Sequence, residues 1–248
     1  MAEKMQASLP LELCGTASNY SIYGGVMHEY NQLNIIVGHY GSGKTNVAVN
    51  LALLAKNEHP GARVKIADLD IVNPYFRTAD SAALLAEHGI EVLVPEFANT
   101  NVDIPALPPR MTTLFEGDGY SFIDVGGDEG AVALGMYRGM IENVPHDVYF
   151  VVNMYRPLIS SPSDAIECMR EIEEVSGLRV TKIINNSSLG AETDAAAVLD
   201  SMGYARECAS LAALPLAAHT YAPEYTGKIS SHENEPLMPI HDITKKLF

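Results

Sequence analysis

The residues best suited to chemistry lie in one short stretch, residues 38–45, with the sequence GHYGSGKT. Glycines at this spacing allow consecutive backbone N–H groups to turn toward a polyphosphate, and a helix that follows adds its free N–H groups and the positive end of its dipole. We expect Lys44 to contact the terminal phosphates and the Thr45 hydroxyl to bind a magnesium ion. The predicted nucleotide contacts of this stretch are Gly38, Gly41, Ser42, Gly43, Lys44, Thr45 and Asn46.

The alternative interpretation is a glycine-rich turn between a strand and a helix that holds no ligand. It leaves Lys44 unexplained, because a cation in the first turn of a helix is unfavourable unless an anion faces it. The apolar run at residues 33–37 and the helix-like run at residues 46–56 also flank the stretch as a phosphate-binding loop requires. A phosphate-binding loop is therefore the favoured interpretation.

Asp124 is the first acidic residue expected to complete the site. It ends an apolar run and precedes Gly126 and Gly127, which fits an acid that orients magnesium through water beside a glycine hinge. Ligands of open parallel sheets collect at the carboxyl ends of the strands. We therefore expect Asp124 to act at the metal; the alternative is a carboxylate that only caps a turn.

Asp68 and Asp70 follow the next apolar run, at residues 64–67. Alternation along an extended chain would point both carboxylates the same way. One could order magnesium-bound water while the other positions the attacking water. The predicted catalytic residues are therefore Lys44, Asp70 and Asp68, and the alternative for either acid is a loop cap.

Six short runs rich in β-branched residues must position these groups. They lie at residues 33–37, 64–67, 92–94, 122–125, 148–152 and 180–184, and their apolar character predicts strands buried on both faces. Segments with helical spacing of apolar residues lie between them. This alternation predicts an α/β fold, a doubly wound, mostly parallel sheet with helices on both faces. Gly89, Gly177 and Gly203 are expected to end helices.

Length and composition limit the organisation and the partners. The 248 residues, 47% of them hydrophobic, predict a single nucleotide-binding domain at 31–248, with 1–30 a poorly structured extension and Met27 an alternative start. A net charge of -15 disfavours nucleic acid and anionic membranes as partners. Three widely spaced cysteines and the lack of a bilayer-length apolar run fit a cytoplasmic location.

The end of the sequence has a short amphipathic pattern, formed by Ile240, Ile243, Lys245, Lys246, Leu247 and Phe248. Such a pattern can dock on a membrane or pack on its own domain. Because it is brief and carries only two basic residues, we favour a helix packed on its own domain.

The loop, the acids at 68 and 70, and Asp124 before glycines are together similar to the CobQ/CobB/MinD/ParA-type P-loop ATPases of the SIMIBI class, over roughly residues 33–223. The resemblance implies ATP binding with Mg2+ and a nucleotide-dependent homodimer. It implies that Lys44 contacts phosphates, Thr45 binds magnesium, Asp70 acts on the attacking water and Asp124 is the Walker B acid.

One position departs from that resemblance. MinD/ParA proteins have a second lysine after the first glycine of the loop, which contacts phosphate across the dimer, whereas this chain has His39. A neutral imidazole does not replace a fixed positive charge near pH 7. Arg77, Arg138 and Arg156 follow predicted strands and could supply charge, although a solvated or structural role is favoured for each.

Base selection can be compared with the nickel-chaperone GTPases, which have a similar loop. Those proteins read guanine with Asn-Lys-x-Asp after a late strand, where this chain has Asn-Asn-Ser-Ser at residues 185–188. Without the acid, ATP is favoured, because Asn185 can both donate to and accept from an adenine edge. The alternative is an asparagine turn after a strand. The Cys-Pro-His type of metal motif of those chaperones is missing.

The leading hypothesis is a slow, magnesium-dependent ATPase that acts as a nucleotide switch for an unidentified protein partner. A second class is a nucleotide-binding module without turnover, which His39 favours. A third is an ATP-dependent carboxylate-activating enzyme, similar to dethiobiotin synthetase or the cobyrinic-acid amide ligases. Its substrate pocket would come from Asn73, Tyr75, Arg77 and Arg156.

Overall fold

Eight parallel strands form one sheet within residues 30–69, 82–93, 109–229 and 234–243, the ranges that the computed structural model describes. The strands are β1 Leu33–Val37, β2 Arg63–Asp68, β3 Ile90–Leu93, β4 Gly119–Asp124, β5 His146–Val152, β6 Lys182–Asn185, β7 Leu216–Tyr221 and β8 Leu237–Pro239. Their order is β3-β2-β4-β1-β5-β6-β7-β8, and every neighbouring pair is parallel. All strands therefore end at the same edge of the sheet.

Helices connect the strands. Those described are α1 Lys44–Glu58, α2 Ala82–Glu87, α3 Gly127–Gly135, α4 Arg138–Ile141, α5 Pro162–Ser176, α6 Ala195–Ala212 and α7 Thr226–Ile229. Short 3-10 turns occur at Pro109–Phe115, Pro157–Ile159, Gly190–Glu192 and Pro223–Tyr225. The Ser161 side chain caps α5 by accepting from the Asp164 N–H.

The central strand β1 is buried on both faces. Ile35 and Val37 belong to a core that includes residues of α3, α5 and α6, whereas Ile36 belongs to a second core built largely from α1. Because successive side chains of a strand point to opposite faces, these two cores lie on opposite sides of the sheet. The predicted fold class, a doubly wound parallel sheet with helices on both faces, is confirmed.

The six predicted strands agree with the observed strands to different degrees. The first is confirmed at its predicted bounds, and the other five overlap observed strands with ends that differ by a few residues; Val94 lies outside the described residues. Strands β7 and β8 were not predicted. β7, with the sequence LAAHTY, has few β-branched residues, and β8 has only three residues, so neither gives the apolar signal of the inner strands.

One prediction at a helix end needs correction. Gly203 does not end a helix, because α6 continues to Ala212 and ends at Ala213 with φ 54°. The buried side chains of Tyr204, Ala205 and Cys208 continue the apolar stripe, and their burial outweighs the cost of about 1 kcal/mol for a glycine inside a helix. Gly89 and Gly177 do follow helix ends, each with φ 70°.

The predicted terminal helix is also wrong where it can be checked. Residues 240–243 are not helical: the Ile240 N–H donates to the Tyr221 carbonyl at 2.9 Å and prolongs the pairing of β8 with β7. Residues 244–248 lie outside the described ranges, as do residues 1–29, which include Met27. None of the described helices is both long and apolar enough to cross a membrane.

The start of β4 provides a stability test. Gly119 has φ 152°, and a Cβ atom there would lie 2.3 Å from the Arg63 carbonyl oxygen of the neighbouring strand. Because backbone cannot move aside cheaply, Gly119→Ala should lower the free energy of unfolding by about 2 kcal/mol in urea denaturation. Gly139→Ala is the matched control, since nothing lies within 4 Å of the added methyl group. Equal stabilities of the two variants would contradict this account.

Candidate functional site

The chain turns sharply between β1 and α1, and glycine is required there. Gly41 and Gly43 have φ 76° and 84°, and a Cβ atom on Gly43 would lie 2.2 Å from Asn186 Nδ2. A Cβ atom on Gly38 would lie 2.6 Å from the Val151 carbonyl oxygen of β5. The loop is therefore pressed against the ends of β5 and β6.

The first turn of α1 has the features of an anion site. Its N-cap is Gly43, no side chain caps the helix, and the first turn contains no acidic residue. Lys44 is buried, and its Nζ donates to the His39 carbonyl across the loop at 3.1 Å. The helix N–H groups, the helix dipole and the lysine all add positive potential at one point. Ser42 Oγ is buried there without a hydrogen-bond partner among the described residues.

A second cluster, of oxygen atoms, lies beside the loop. Thr45 Oγ1 donates to Asp124 Oδ2 at 2.6 Å, and both side chains are buried. Asp68 ends β2 directly opposite Asp124 of β4 and is also fully buried. Two neighbouring buried carboxylates repel each other and lose hydration, costs that a divalent cation reduces. The hydroxyl and carboxylate oxygens fit the ligand preference of Mg2+.

The acids expected to do chemistry are only partly within the described residues. Asp68 lies beside Asp124 in the register of β2 and β4, and the Leu69 N–H donates to the Asp124 carbonyl at 2.8 Å, which ties the ends of the two strands together. The catalytic role of Asp68 stays a prediction. Asp70 lies outside the described residues. Its role on the attacking water stays a prediction.

A cavity of about 370 Å³ opens next to the loop. It is lined by the loop itself, by the segments that follow β5, β6 and β7, and by residues 240–242. Its volume lies in the range of roughly 300–1,000 Å³ that is common for small-molecule sites. Since it adjoins the N-terminus of α1, it is placed to receive the remainder of a ligand whose phosphates lie in the loop.

Asn186 fastens this cavity to the loop and was not predicted. Its Nδ2 donates to the Ser42 carbonyl at 2.8 Å, and its Oδ1 accepts from Thr220 Oγ1 at 2.6 Å. The side chain thus joins the loop to the ends of β6 and β7. Its place after a strand was visible in the sequence, but the sequence offered no signal to prefer it to Asn185.

Asn185 points away from this cavity. Its Nδ2 donates to Ser201 Oγ at 2.8 Å and to His219 Nδ1 at 2.9 Å, while its Oδ1 accepts from the Ser187 N–H and hydroxyl. The side chain is 1% exposed and is not among the residues that line the cavity. Its predicted contact with a base stays a prediction to which the geometry lends no support.

The basic residues considered for the site differ in their distance from the loop and in their partners. Arg156 Nε donates to the Gly41 carbonyl at 2.7 Å and lines the cavity, so it lies at the loop. Arg138 donates to Glu142 at 2.7 Å within α4 and its C-cap, a structural pairing. Arg77 lies outside the described residues. His39 Nδ1 lies 2.8 Å from the Tyr40 carbonyl oxygen, a contact within the loop.

Asn46 lines the cavity, and its side chain also accepts a hydrogen bond from within the protein. Its Oδ1 accepts from the Ile243 N–H at 3.0 Å. The residue is therefore both a wall of the cavity and an attachment point for the end of the described chain.

Comparison with solved structures returns proteins of low similarity. An FtsY cell division protein from Thermotoga maritima is 17% identical with a TM-score of 0.49, covering 78% of this chain and 62% of its own. A nucleotide-binding protein from Archaeoglobus fulgidus, in complex with ADP, is 16% identical with a TM-score of 0.45, covering 74% and 80%. A ParA family ATPase from Chlorobium tepidum is 15% identical with a TM-score of 0.30, covering 74% and 93%.

These similarities assign neither a family nor an activity. The chain spans about three fifths of the length of the FtsY structures that it matches. No family model matches it, and no curated protein is similar in sequence. The strand order and the geometry of the loop, rather than these comparisons, define the site.

A buried histidine, His219 of β7, links Asn185 of β6 to Glu235. His219 is fully buried, with Nδ1 bonded to Asn185 and Nε2 3.2 Å from Glu235 Oε2; Glu235 also accepts from Arg206. The Ser187 N–H fixes the oxygen of the Asn185 amide, so the amide nitrogen must donate to Nδ1 and the proton of a neutral imidazole lies on Nε2. Burial lowers the pKa of His219, although Glu235 partly opposes that effect.

This arrangement predicts a dependence of stability on pH. Because the pKa of His219 is lowered in the folded protein, the unfolded chain binds more protons below its ordinary value of 6.5. The free energy of unfolding should therefore be unaffected by His219 above about pH 6.5 and should decrease as the pH is lowered below that value. Urea denaturation at pH 5.5 and 7.5 measures this difference.

His219→Asn should show a smaller difference between the two pH values. Part of the dependence should remain, because burial also lowers the pKa of His241, which acts in the same direction. An unchanged difference in the variant, or no difference in the wild type, would refute the role assigned to His219.

Proposed function

We propose that the protein binds ATP with Mg2+ and hydrolyses it slowly, acting as a nucleotide switch for a protein partner. The observation that supports this most directly is the bond from Thr45 to Asp124, at 2.6 Å, beside a glycine turn that opens an uncapped helix. Thr45 and Asp124 lie where the turn adjoins the carboxyl edge of the sheet. A triphosphate and a divalent ion have complementary charges for these two adjoining surfaces.

Each part of the site has a proposed task. The N–H groups of the first turn of α1 and Lys44 bind phosphate oxygens, and Thr45 and Asp124, with Asp68 beside them, hold the metal. Bound magnesium would neutralise phosphate charge. Asp70 is proposed, from its place in the sequence, to accept a hydrogen bond from the attacking water and orient it.

ATP is proposed as the nucleotide because the segment after β6, residues 186–190, has no carboxylate to accept from a guanine edge. Ser188 of that segment lines the cavity. GTP is the second candidate, since two carboxylates from other elements, Glu224 and Asp242, also line the cavity.

A protein contact at this edge is supported by exposed apolar side chains. Tyr40, within the loop, and Leu158, two residues after Arg156, are 71% and 72% exposed. Large apolar side chains that remain exposed beside a ligand site are common at protein interfaces. We propose that these side chains contact a second copy of the chain, in a nucleotide-dependent homodimer, or a different protein. We propose the cytoplasm as the location.

Two other functions are favoured by single observations. A binding module without turnover is favoured by His39, which is hydrogen-bonded within its own loop and gives no fixed charge. A carboxylate-activating enzyme is favoured by Arg156, whose guanidinium lines the cavity at the loop and could pair with a substrate carboxylate. Phosphate release that requires an added carboxylic acid would distinguish the latter.

Lys44→Ala tests nucleotide binding. Loss of a charged hydrogen-bond donor should weaken binding of Mg-ATP by about 10- to 100-fold in isothermal titration calorimetry. Lys56→Ala is the control on the same helix, because Lys56 Nζ donates to the Pro60 and Ala62 carbonyls near the other end of α1. Titrations with ATP and GTP in parallel select the base. Wild-type protein that binds neither nucleotide would refute the proposal.

Asp70→Ala separates hydrolysis from binding. If Asp70 only orients water, the variant should bind Mg-ATP within a few-fold of wild type but lose about 100-fold or more of its phosphate release. Native mass measurements with each nucleotide report any dimer. Turnover that is unchanged in the variant would remove Asp70 from the mechanism, and no turnover in wild type would favour the binding module.

A further inference from the structure

Residues 240–243, here called the post-β8 segment, connect the edge of the sheet to the helix of the phosphate loop. At one end, the Ile240 N–H donates to the Tyr221 carbonyl at the end of β7 at 2.9 Å. At the other end, the Ile243 N–H donates to Asn46 Oδ1 at 3.0 Å. The segment therefore bridges two walls of the same cavity.

Asn50 holds the middle of this segment with a pair of hydrogen bonds. Its Nδ2 donates to the His241 carbonyl at 2.9 Å, and its Oδ1 accepts from the His241 N–H at 2.9 Å. The amide satisfies both polar groups of one residue, as a neighbouring strand would. Asn50 is buried within a helix, where asparagine is a poor helix former and an unpaired amide is costly. Its presence is explained by this contact.

Asn46 and Asn50 are one helical turn apart, and Asn46 comes two residues after Lys44. Asn50 Nδ2 also donates to the Asn46 carbonyl at 2.8 Å. Apolar contacts reinforce the attachment, since Ile240 is buried in the core shared with α1 and Ile243 packs against that core. The post-β8 segment and the first turn of α1 are therefore packed together as one unit.

The segment also forms the surface of the cavity. His241 and Asp242 line it together with Asn46 and the residues that follow β6. A ligand that fills the cavity would contact the attached form of the segment and would lose those contacts if the segment detached. Binding that favours one of two arrangements must shift the population toward it.

We propose that Asn46 and Asn50 are positioning residues that hold the post-β8 segment as a wall of the nucleotide site, so that nucleotide binding and segment attachment stabilise each other. This inference rests on the proposed nucleotide binding. It adds that the state of the phosphate loop is transmitted to the end of the described chain through two asparagine side chains.

Hydrogen exchange in the wild-type protein gives the first test. The His241 and Ile243 amides donate only to the two asparagine side chains in the described contacts, so their exchange reports the attachment directly. Both amides should exchange about ten-fold more slowly when magnesium and ADP or ATP are added at saturating concentration, a typical coupling between sites. Unchanged exchange with nucleotide demonstrably bound would overturn the inference.

Asn50→Ala gives the second test. Affinity for Mg-ATP should fall by about ten-fold, at a temperature where the variant is fully folded. Asn143→Ala is the matched control, because Asn143, which follows α4, donates to the Gly139 carbonyl within that helix on an exposed surface. A role in stability alone would lower the melting temperature of the free and bound protein equally and leave the dissociation constant unchanged, which would overturn the inference.

The outcomes separate this inference from the proposed function. Wild-type protein that binds no nucleotide would overturn both. Nucleotide binding with unchanged exchange, or with unchanged affinity in Asn50→Ala, would overturn only the coupling. If Asn50→Ala does not fold, the exchange of the wild-type amides decides alone.

Discussion

The close contact between Asn186 and the loop at residues 38–45 is the constraint on which the site depends. Asn186 Nδ2 occupies the space that a side chain at Gly43 would fill, and it donates to the carbonyl of the preceding residue, Ser42. Glycines have a wide range of backbone conformations, and this contact, with those of Lys44 and Arg156, restricts a loop that has φ near 80° at two of them. The end of β6 therefore fixes the loop, and Thr220 of β7 fixes Asn186 in turn.

Parallel strands make this arrangement possible with few residues. Thr45 and Asp124 are separated by 79 positions in the chain but meet at 2.6 Å, because β1, which precedes Thr45, and β4, which ends at Asp124, are neighbours that end at the same edge. The register also places Asp68 of β2 opposite Asp124. One sheet edge thus collects a helix N-terminus, a hydroxyl and two carboxylates. The helix N-terminus favours an anion, whereas the hydroxyl and carboxylate oxygens favour a cation.

The sequence predicted the parts of this structure that local physics determines. Glycine spacing identified the loop, and buried apolar runs identified the inner strands, because those signals arise within a few residues. The sequence did not identify Asn186 over Asn185, since both follow the predicted strand at residues 180–184 and the alternation of side chains selects one only when the register is known. It also missed β8, whose three residues are held by β7 and by the segment that bonds to Asn50.

Net charge is a weaker guide to the ligand than these local groups. A chain with a net charge of -15 repels an extended polyanion, which contacts a wide surface. A phosphate group is small, however, and charges beyond about 8 Å are largely screened at physiological ionic strength. The charged groups at the loop are Lys44, the uncapped turn of α1 and Arg156 at Gly41, with the carboxylates of Asp124 and Asp68 beside them. The net charge therefore bears on extended polyanions, whereas the local groups at the loop bear on a compact anion.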